Sequence, residues 1–271
     1  MKRISMVALC IAALFAFAAT SAMADETDSG YTPTFKVCVK ASPKNTGNYT
    51  EKLCATKAGT PGTGAYELAP WTSAKKKGFK SKSGKSVLYS YIPKVGIAGT
   101  VECAKDKGEG ELTGKDDATA VVTFEKCTSS GFKCTSAGEK AGDIKTNTLD
   151  LELVWLNPPT DTEVGVVVEA PGEGASASFN CEEHLKVTTI GSLVGSITGD
   201  VGKISKEFTE AFSVNKTTGE QVPGEAEGTP HSLYSAIESE AFTGTLPSGE
   251  ETADAVKGEA LGIFGSEEAG D

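Results

Sequence analysis

Arginine is all but absent from this chain. Arg3 is the only one among 271 residues, and it lies in an apolar leader. The rest of the chain has no guanidinium fork for bidentate capture of phosphate or carboxylate. With a formal net charge of -11 it also lacks the basic footprint of a nucleic-acid binder. Histidine is nearly as scarce: His184 and His231 are the only two. Zinc sites draw on clusters of Cys and His, and no C-x-x-C pair occurs, so neither a metal nor a cofactor is expected. No Gly-x-Ser-x-Gly elbow is present. Gly191-Ser192 and Gly195-Ser196 read instead as small residues in a bend of a sheet. Beyond residue 24 no apolar run approaches 18 residues, so no transmembrane helix is expected.

What is present begins with the leader. Lys2 and Arg3 precede an apolar run over 7–19, and Ala22-Met23-Ala24 is a small-x-small cleavage site. The pattern is that of a secretory signal peptide cut after Ala24. The mature chain would carry 24 basic against 37 acidic residues. An exported chain can form disulfides. Cys10 leaves with the leader, and Cys38, Cys54, Cys103, Cys127, Cys134 and Cys181 remain. Six cysteines read as three bridges with fifteen pairings open. Locality favours Cys38–Cys54 and Cys127–Cys134, which leaves Cys103–Cys181.

The hydrophobic period is two from Val87 onward. Val87, Tyr89 and Tyr91 share a face, as do Ala120, Val122 and Phe124. Leu149, Leu151, Leu153 and Trp155 alternate with Asp150 and Glu152, the pattern of a half-buried strand. Further short runs follow at the spacing of an all-β sandwich or barrel. Residues 204–214 fit either period. Ile204, Phe208, Ala211 and Phe212 suit a helix face. As a strand, Phe208, Glu210 and Phe212 share a face and a carboxylate lies among aromatics; the β surroundings favour the strand.

Charge is unevenly spread. Lys75, Lys76, Lys77, Lys80, Lys82 and Lys85 crowd a Gly/Ser-rich stretch read as a loop, and twelve acids with one lysine occupy 220–271. The plain reading is a solvated loop and a solubilising tail. The sharper one is a lysine loop that touches an anionic wall polymer or glycan, with Trp71 beside it as a stacking platform. Gly78 to Ser86 imitates a phosphate-binding loop, but five residues instead of four separate its glycines. Glu182-Glu183-His184 holds acid/base candidates, but adjacent strand residues face opposite ways. Asp106 to Glu111 reads as a solvated acidic turn, with calcium as the weaker alternative.

Several strings together resemble a family of secreted, uncharacterised β-rich proteins of soil actinobacteria. They include Phe35-Lys36-Val37-Cys38, Leu88-Tyr89-Ser90-Tyr91-Ile92-Pro93 and Val122-Thr123-Phe124-Glu125-Lys126-Cys127. Cys134-Thr135-Ser136-Ala137-Gly138, Phe179-Asn180-Cys181 and Gly191-Ser192-Leu193-Val194-Gly195 complete the core of the match. The resemblance implies export and a β-rich fold, and it carries over no catalytic residue.

The expected fold is all-β: an antiparallel sandwich or barrel with a small disulfide-stapled N-terminal β unit. The expected organisation is a signal peptide over 1–24, a disordered leader over 25–34, the N-terminal unit and lysine loop over 35–85, the main β domain over 86–264 and an acidic tail over 265–271. The expected function is an exported, non-catalytic, envelope-associated binding or structural module. Its ligand contacts would be Trp71, Lys75, Lys76, Lys77, Lys80, Lys82 and Lys85. The rival is a secreted hydrolase that uses carboxylates on a wall polymer or glycan, and a concave site with convergent acids would favour it.

Overall fold

Alternating runs of this kind bury one face each, and here they do so by closing on themselves. A computed structural model describes residues 32–72, 78–92, 96–156, 163–199, 201–239 and 243–264. The N-terminal unit holds β1 (Thr34–Lys40) and β2 (Tyr66–Pro70). β3 (Gly78–Ser83) runs on into β4 (Ser86–Ile92), β5 (Gly96–Cys103) into β6 (Lys105–Leu112), and β7 (Asp117–Glu125) into β8 (Thr128–Ser129). β9 (Phe132–Thr135) returns from β8, and β10 (Ile144–Lys145) leads into β11 (Leu149–Trp155). β12 (Val164–Glu169) and β13 (Ala175–Cys181) flank a 3-10 turn, Pro171–Glu173. β14 (Leu185–Thr198) and β15 (Ile204–Val214) follow, then the short β16 (Gln221–Val222), β17 (Glu225–Ala226) and β18 (Thr229–Pro230). β19 (Leu233–Ser239) and the 22-residue β20 (Thr243–Phe264) end the described chain.

Strands that continue one another act as single staves, and every neighbouring pair is antiparallel. β3–β4 pairs with β5–β6, which pairs with β7–β8. β7 pairs with β10–β11, and β9 fills the space above them between β8 and β13. β12–β13 pairs with β11 and with β14. β14 meets β15 along one half and β19 along the other, and both of these pair with β20. β20 then pairs with β3 and β4 and closes the ring. The result is an up-and-down antiparallel barrel of eight staves. Barrels of this size have an interior just wide enough for side chains or one small ligand. Closure decides between the two expected architectures in favour of the barrel.

The interior is apolar and the exterior charged. Val122, Leu151, Val168, Leu193 and Phe212 face inward, whereas Lys80, Glu109, Lys107, Lys257 and Glu238 stand outside. A membrane-spanning barrel carries an apolar outer band instead. No helix among the described residues is long and apolar enough to cross a membrane. At Gly191 β14 passes from β19 toward β12 and β15, with φ at 94°, and a Cβ there would collide with the Ser232 carbonyl. This is the bend that its small residues indicate.

Both ends are stoppered. At the lower end β1 continues from the tip of β20 through Thr34↔Phe264. This seats Phe35 and Trp71 among Leu112, Leu153, Trp155 and Ile263. Thr34, assigned by sequence to the leader, thus belongs to the sheet. Trp71, expected as a surface platform, is 3% exposed and is a core residue. Removing it empties a large part of the stopper. Trp71→Ala is expected to cost about 3–5 kcal/mol in urea unfolding, and a loss under 1 kcal/mol would mean that the stopper collapses onto the gap.

The upper end is closed by two disulfides that the locality argument pairs wrongly. Cys38–Cys54 forms as expected, but the others are Cys103–Cys127 and Cys134–Cys181. All four lie in one cross-strand row. Cys127 and Cys134 flank the β8–β9 hairpin, with the Cys134 N–H donating to the Cys127 carbonyl at 3.0 Å, and Cys134 stands opposite Cys181. A bridge from Cys127 to Cys134 would leave Cys103 and Cys181 three strand spacings apart. That is roughly 14 Å along the sheet, well beyond the 7 Å that a disulfide spans.

Candidate functional site

Two lysines of the cluster, Lys80 and Lys82, lie on a strand and not in a loop. Lys80 and Lys82 point outward from β3, where Phe79 and Ser81 take the other face. Strand register brings in lysines that the sequence separates widely. Lys257, Lys80, Glu109 and Val121 form one outer row, and Ala255, Lys82, Lys107, Thr123 and Lys145 the next. These residues line a shallow outer groove of about 820 Å³. Four of the five lysines reach an acid at the surface: Lys80 to Glu109 at 2.7 Å, Lys107 to Glu125 at 2.8 Å, Lys257 to Glu207 at 3.0 Å and Lys145 to Glu139 at 3.6 Å. Lys82 has no anionic partner among the described residues. Lys105 and Lys107 together hold the Glu125 carboxyl down to about 2. Lys85 sits in the short break after β3 and reaches Glu102 at 2.8 Å. Lys75, Lys76 and Lys77 lie outside the described residues, as do the leader over 1–24 and the tail over 265–271.

The second site is inside the barrel, and the sequence reading misplaced most of it. Asp106 to Glu111, read as a solvated turn, belongs to β6. Its outward residues are Lys105, Lys107 and Glu109, while Asp106 is 3% exposed. Register sets Ile197 opposite Glu210, Glu210 opposite Asp254, and Asp254 opposite Ser83. The Ser83 hydroxyl donates to Asp106, which stands opposite Phe124. A continuous inner row thus carries three acids and a serine on four neighbouring staves. Along β20 the inward positions recur at Glu250, Thr252 and Asp254, and the Thr252 hydroxyl donates to Asp254 at 3.3 Å.

Glu210, Glu250 and Asp254 face a cavity of about 120 Å³ whose walls are otherwise mostly apolar. A second cavity of about 90 Å³ lies below it and shares Phe79, Leu151 and Glu210 with the first. Burial, with the neighbouring Asp254 and Asp106 adding to it, pushes the Glu210 and Glu250 carboxyls up to about 8. Burial also raises Asp254 and Asp106, partly offset by the Ser83 and Thr252 hydroxyls. Neither Glu210 nor Glu250 has a hydrogen bond or ion pair to its carboxyl among the described residues.

The remaining sequence candidate lies in a turn. Glu182 to His184 is the turn between β13 and β14, and the His184 ring packs against Phe132 at 4.5 Å between centroids. No cluster of three or more metal-ligating side chains occurs among the described residues. The fold does bring together two residues the sequence holds apart. Ser192 Oγ lies 3.0 Å from His231 Nδ1, and Glu169 stands opposite Ser192. A nucleophile also needs free N–H groups where its oxyanion forms. The Ser192 N–H is already donated to the Ser232 carbonyl at 3.1 Å and the His231 N–H to the Gly224 carbonyl at 2.8 Å.

The convergent acids meet one condition of the hydrolase alternative and fail another. A polymer chain cannot thread a barrel stoppered by Phe35 and Trp71 at one end and four cysteines at the other. No protein-family model, no curated protein and no solved structure matches this chain.

Proposed function

We propose that this protein is an exported, non-catalytic binding module of the cell envelope that holds an anionic polymer against the outer face of its barrel. The observation that carries the reading is the groove across β20, β3, β6, β7 and β10, where five lysines converge in a chain of net charge -11. Two of their present partners, Glu109 and Glu207, are exposed, Glu125 and Glu139 are half-buried, and the lysines themselves are exposed. Pairs between exposed charges are worth about 0–1 kcal/mol, so a polyanion takes over the lysines at little cost, and Lys82 has no ion pair among the described residues to give up. The groove is concave and runs across strands, which suits a linear chain of repeating negative charge. Export rests on the leader and on three formed disulfides.

Co-sedimentation of the oxidised mature protein with cell-wall sacculi tests this. Binding at low salt is expected to fade as ionic strength rises, because exposed charges are screened within about a Debye length. Lys82→Gln, Lys107→Gln and Lys145→Gln together should weaken it about tenfold, whereas Lys44→Gln and Lys52→Gln in the N-terminal unit should not. Absence of binding at low salt, or equal binding by the groove variant, would overturn the proposal.

A further inference from the structure

The upper lumen cavity gives its acids no counter-charge. Among the described residues that line either cavity there is no lysine and no histidine. Three carboxyls nonetheless face the upper cavity, from Glu210, Glu250 and Asp254, Asp106 lies beside Asp254, and Asp116 lines the lower cavity. An independent observation marks the same place. Ser86 lines the upper cavity, is 2% exposed, and its hydroxyl has no hydrogen-bond partner among the described residues. Native interiors rarely leave such groups unmet, and an orphan beside a cavity points to something that fills it.

We propose that the barrel lumen binds a small organic cation, an ammonium group on a compact apolar body. Within the upper cavity the ammonium sits on the side that Glu210, Glu250, Asp254 and the Ser86 hydroxyl face, and the body packs against Leu88, Leu151, Leu193 and Phe212. The charge is dictated by the wall, since three acids without a basic side chain, once ionised, are complemented by a cation and repel an anion. The size is dictated by the space. An apolar cavity of about 150 Å³ accepts benzene, and the two lumen cavities are about 120 and about 90 Å³. The ligand is therefore on the order of six to ten heavy atoms. It enters when a stopper opens, so binding is slow and is read at equilibrium. The site is separate from the outer groove, and neither proposal depends on the other.

Benzylamine is the probe, with toluene and benzoate as controls, each incubated overnight with the oxidised mature protein before calorimetry. Benzylamine is expected to bind at least tenfold more tightly than toluene at pH 8, and benzoate not at all. Its affinity should rise from pH 5 to pH 8 with uptake of charge by the lumen. The acids facing the site are Glu210 on β15 and Glu250 and Asp254 on β20, with Asp106 on β6 beside Asp254, and Asp116, paired with Lys115, lines the lower cavity below Glu210; the neutral groups beside them are Ser83, Ser86 and Thr252. Burial keeps the acids protonated at the lower pH, and the ammonium favours their ionised forms, so binding near neutrality releases protons. Glu210→Gln with Glu250→Gln removes buried charge and keeps the shape. It should abolish the preference for benzylamine over toluene while leaving binding to sacculi unchanged. Equal affinity for benzylamine and toluene in the unmodified protein would mean a dry apolar void. That result, no binding of benzylamine, or an unaltered preference in the double variant would each overturn the proposal.

Discussion

Between pH 5 and pH 9 the folded chain is expected to lose stability, by roughly 3–5 kcal/mol. Glu210 and Glu250 drive the loss. In the unfolded chain their carboxyls ionise near 4.5, and inside the barrel burial pushes them up to about 8. Through that window the folded state holds protons that the unfolded state has released. Linkage then requires the unfolding free energy to fall as pH rises and to level off above about 8. Asp254 and Asp106 shift the same way, but acids that interact with one another release their protons as a group, so their effects do not add. For a chain of this length the fall corresponds to about 10 °C in Tm. Thermal unfolding at constant ionic strength measures it, and Glu210→Gln with Glu250→Gln should flatten the slope and raise Tm at pH 8. A Tm that does not change from pH 5.5 to pH 9 would contradict burial of uncompensated acids. The opposite limb belongs to Glu125. Its carboxyl is held down to about 2 by Lys107 and Lys105, so the stabilisation it contributes is present above its unfolded value and is lost as pH falls toward 2.

The acid row was partly visible in the sequence. Phe208, Glu210 and Phe212 recur at period two, and a strand reading puts a carboxylate among aromatics. This is what β15 does: Phe212 is buried, and Glu210 lines both lumen cavities. The period also placed Leu149, Leu151, Leu153 and Trp155 on one inner face. Two strands were hidden by composition. β3 looked like a loop because its outward residues are lysines, yet Phe79, Ser81 and Ser83 alternate with them. β6 looked like a turn because of its glycines. Gly108 is needed there because a Cβ would run into the Ser81 hydroxyl, and Gly110 because one would run into the Phe79 ring.

Partnership between strands leaves no such trace. Nothing in the local sequence says that Lys257 will stand opposite Lys80, or that Asp254 will stand opposite both Glu210 and Ser83. Both sites consist of that register, which is why the groove and the lumen emerge only once the ring closes. Trp71 was misread for a related reason. Its flanks, Pro70 and the lysines, are polar and turn-like, but the packing partner that buries it is Phe35, thirty-odd residues earlier in the chain.

Opening the upper end should have the other large effect. Cys127, Cys134 and Cys181 are at most 1% exposed and Cys103 is 6% exposed, so the two bridges are themselves the stopper. In the chain-entropy account, loops with separations of 24 and 47 residues contribute about 3–4 kcal/mol each. Full reduction, or the fourfold substitution of Cys103, Cys127, Cys134 and Cys181 by alanine, is therefore expected to leave the barrel unfolded or marginal at 37 °C. Cys38→Ala with Cys54→Ala acts only on the N-terminal unit and should cost less than either upper bridge, because its loop of 16 is the shortest. Peptide mapping without reductant checks the pairing: a Cys127–Cys134 peptide would contradict the cross-strand row. The single-bridge variants carry the more informative result. Removing Cys134–Cys181 alone takes out a strap between β9 and β13 at the mouth of the lumen. Water then reaches the carboxyls from above, and a hydrated carboxyl ionises closer to its ordinary range. This variant should therefore lose both stability and part of the downward slope of stability with pH, and it should admit benzylamine faster than the parent. Lower stability with an unchanged pH slope would show that the acids are insulated by the side chains around them and not by the disulfide stopper.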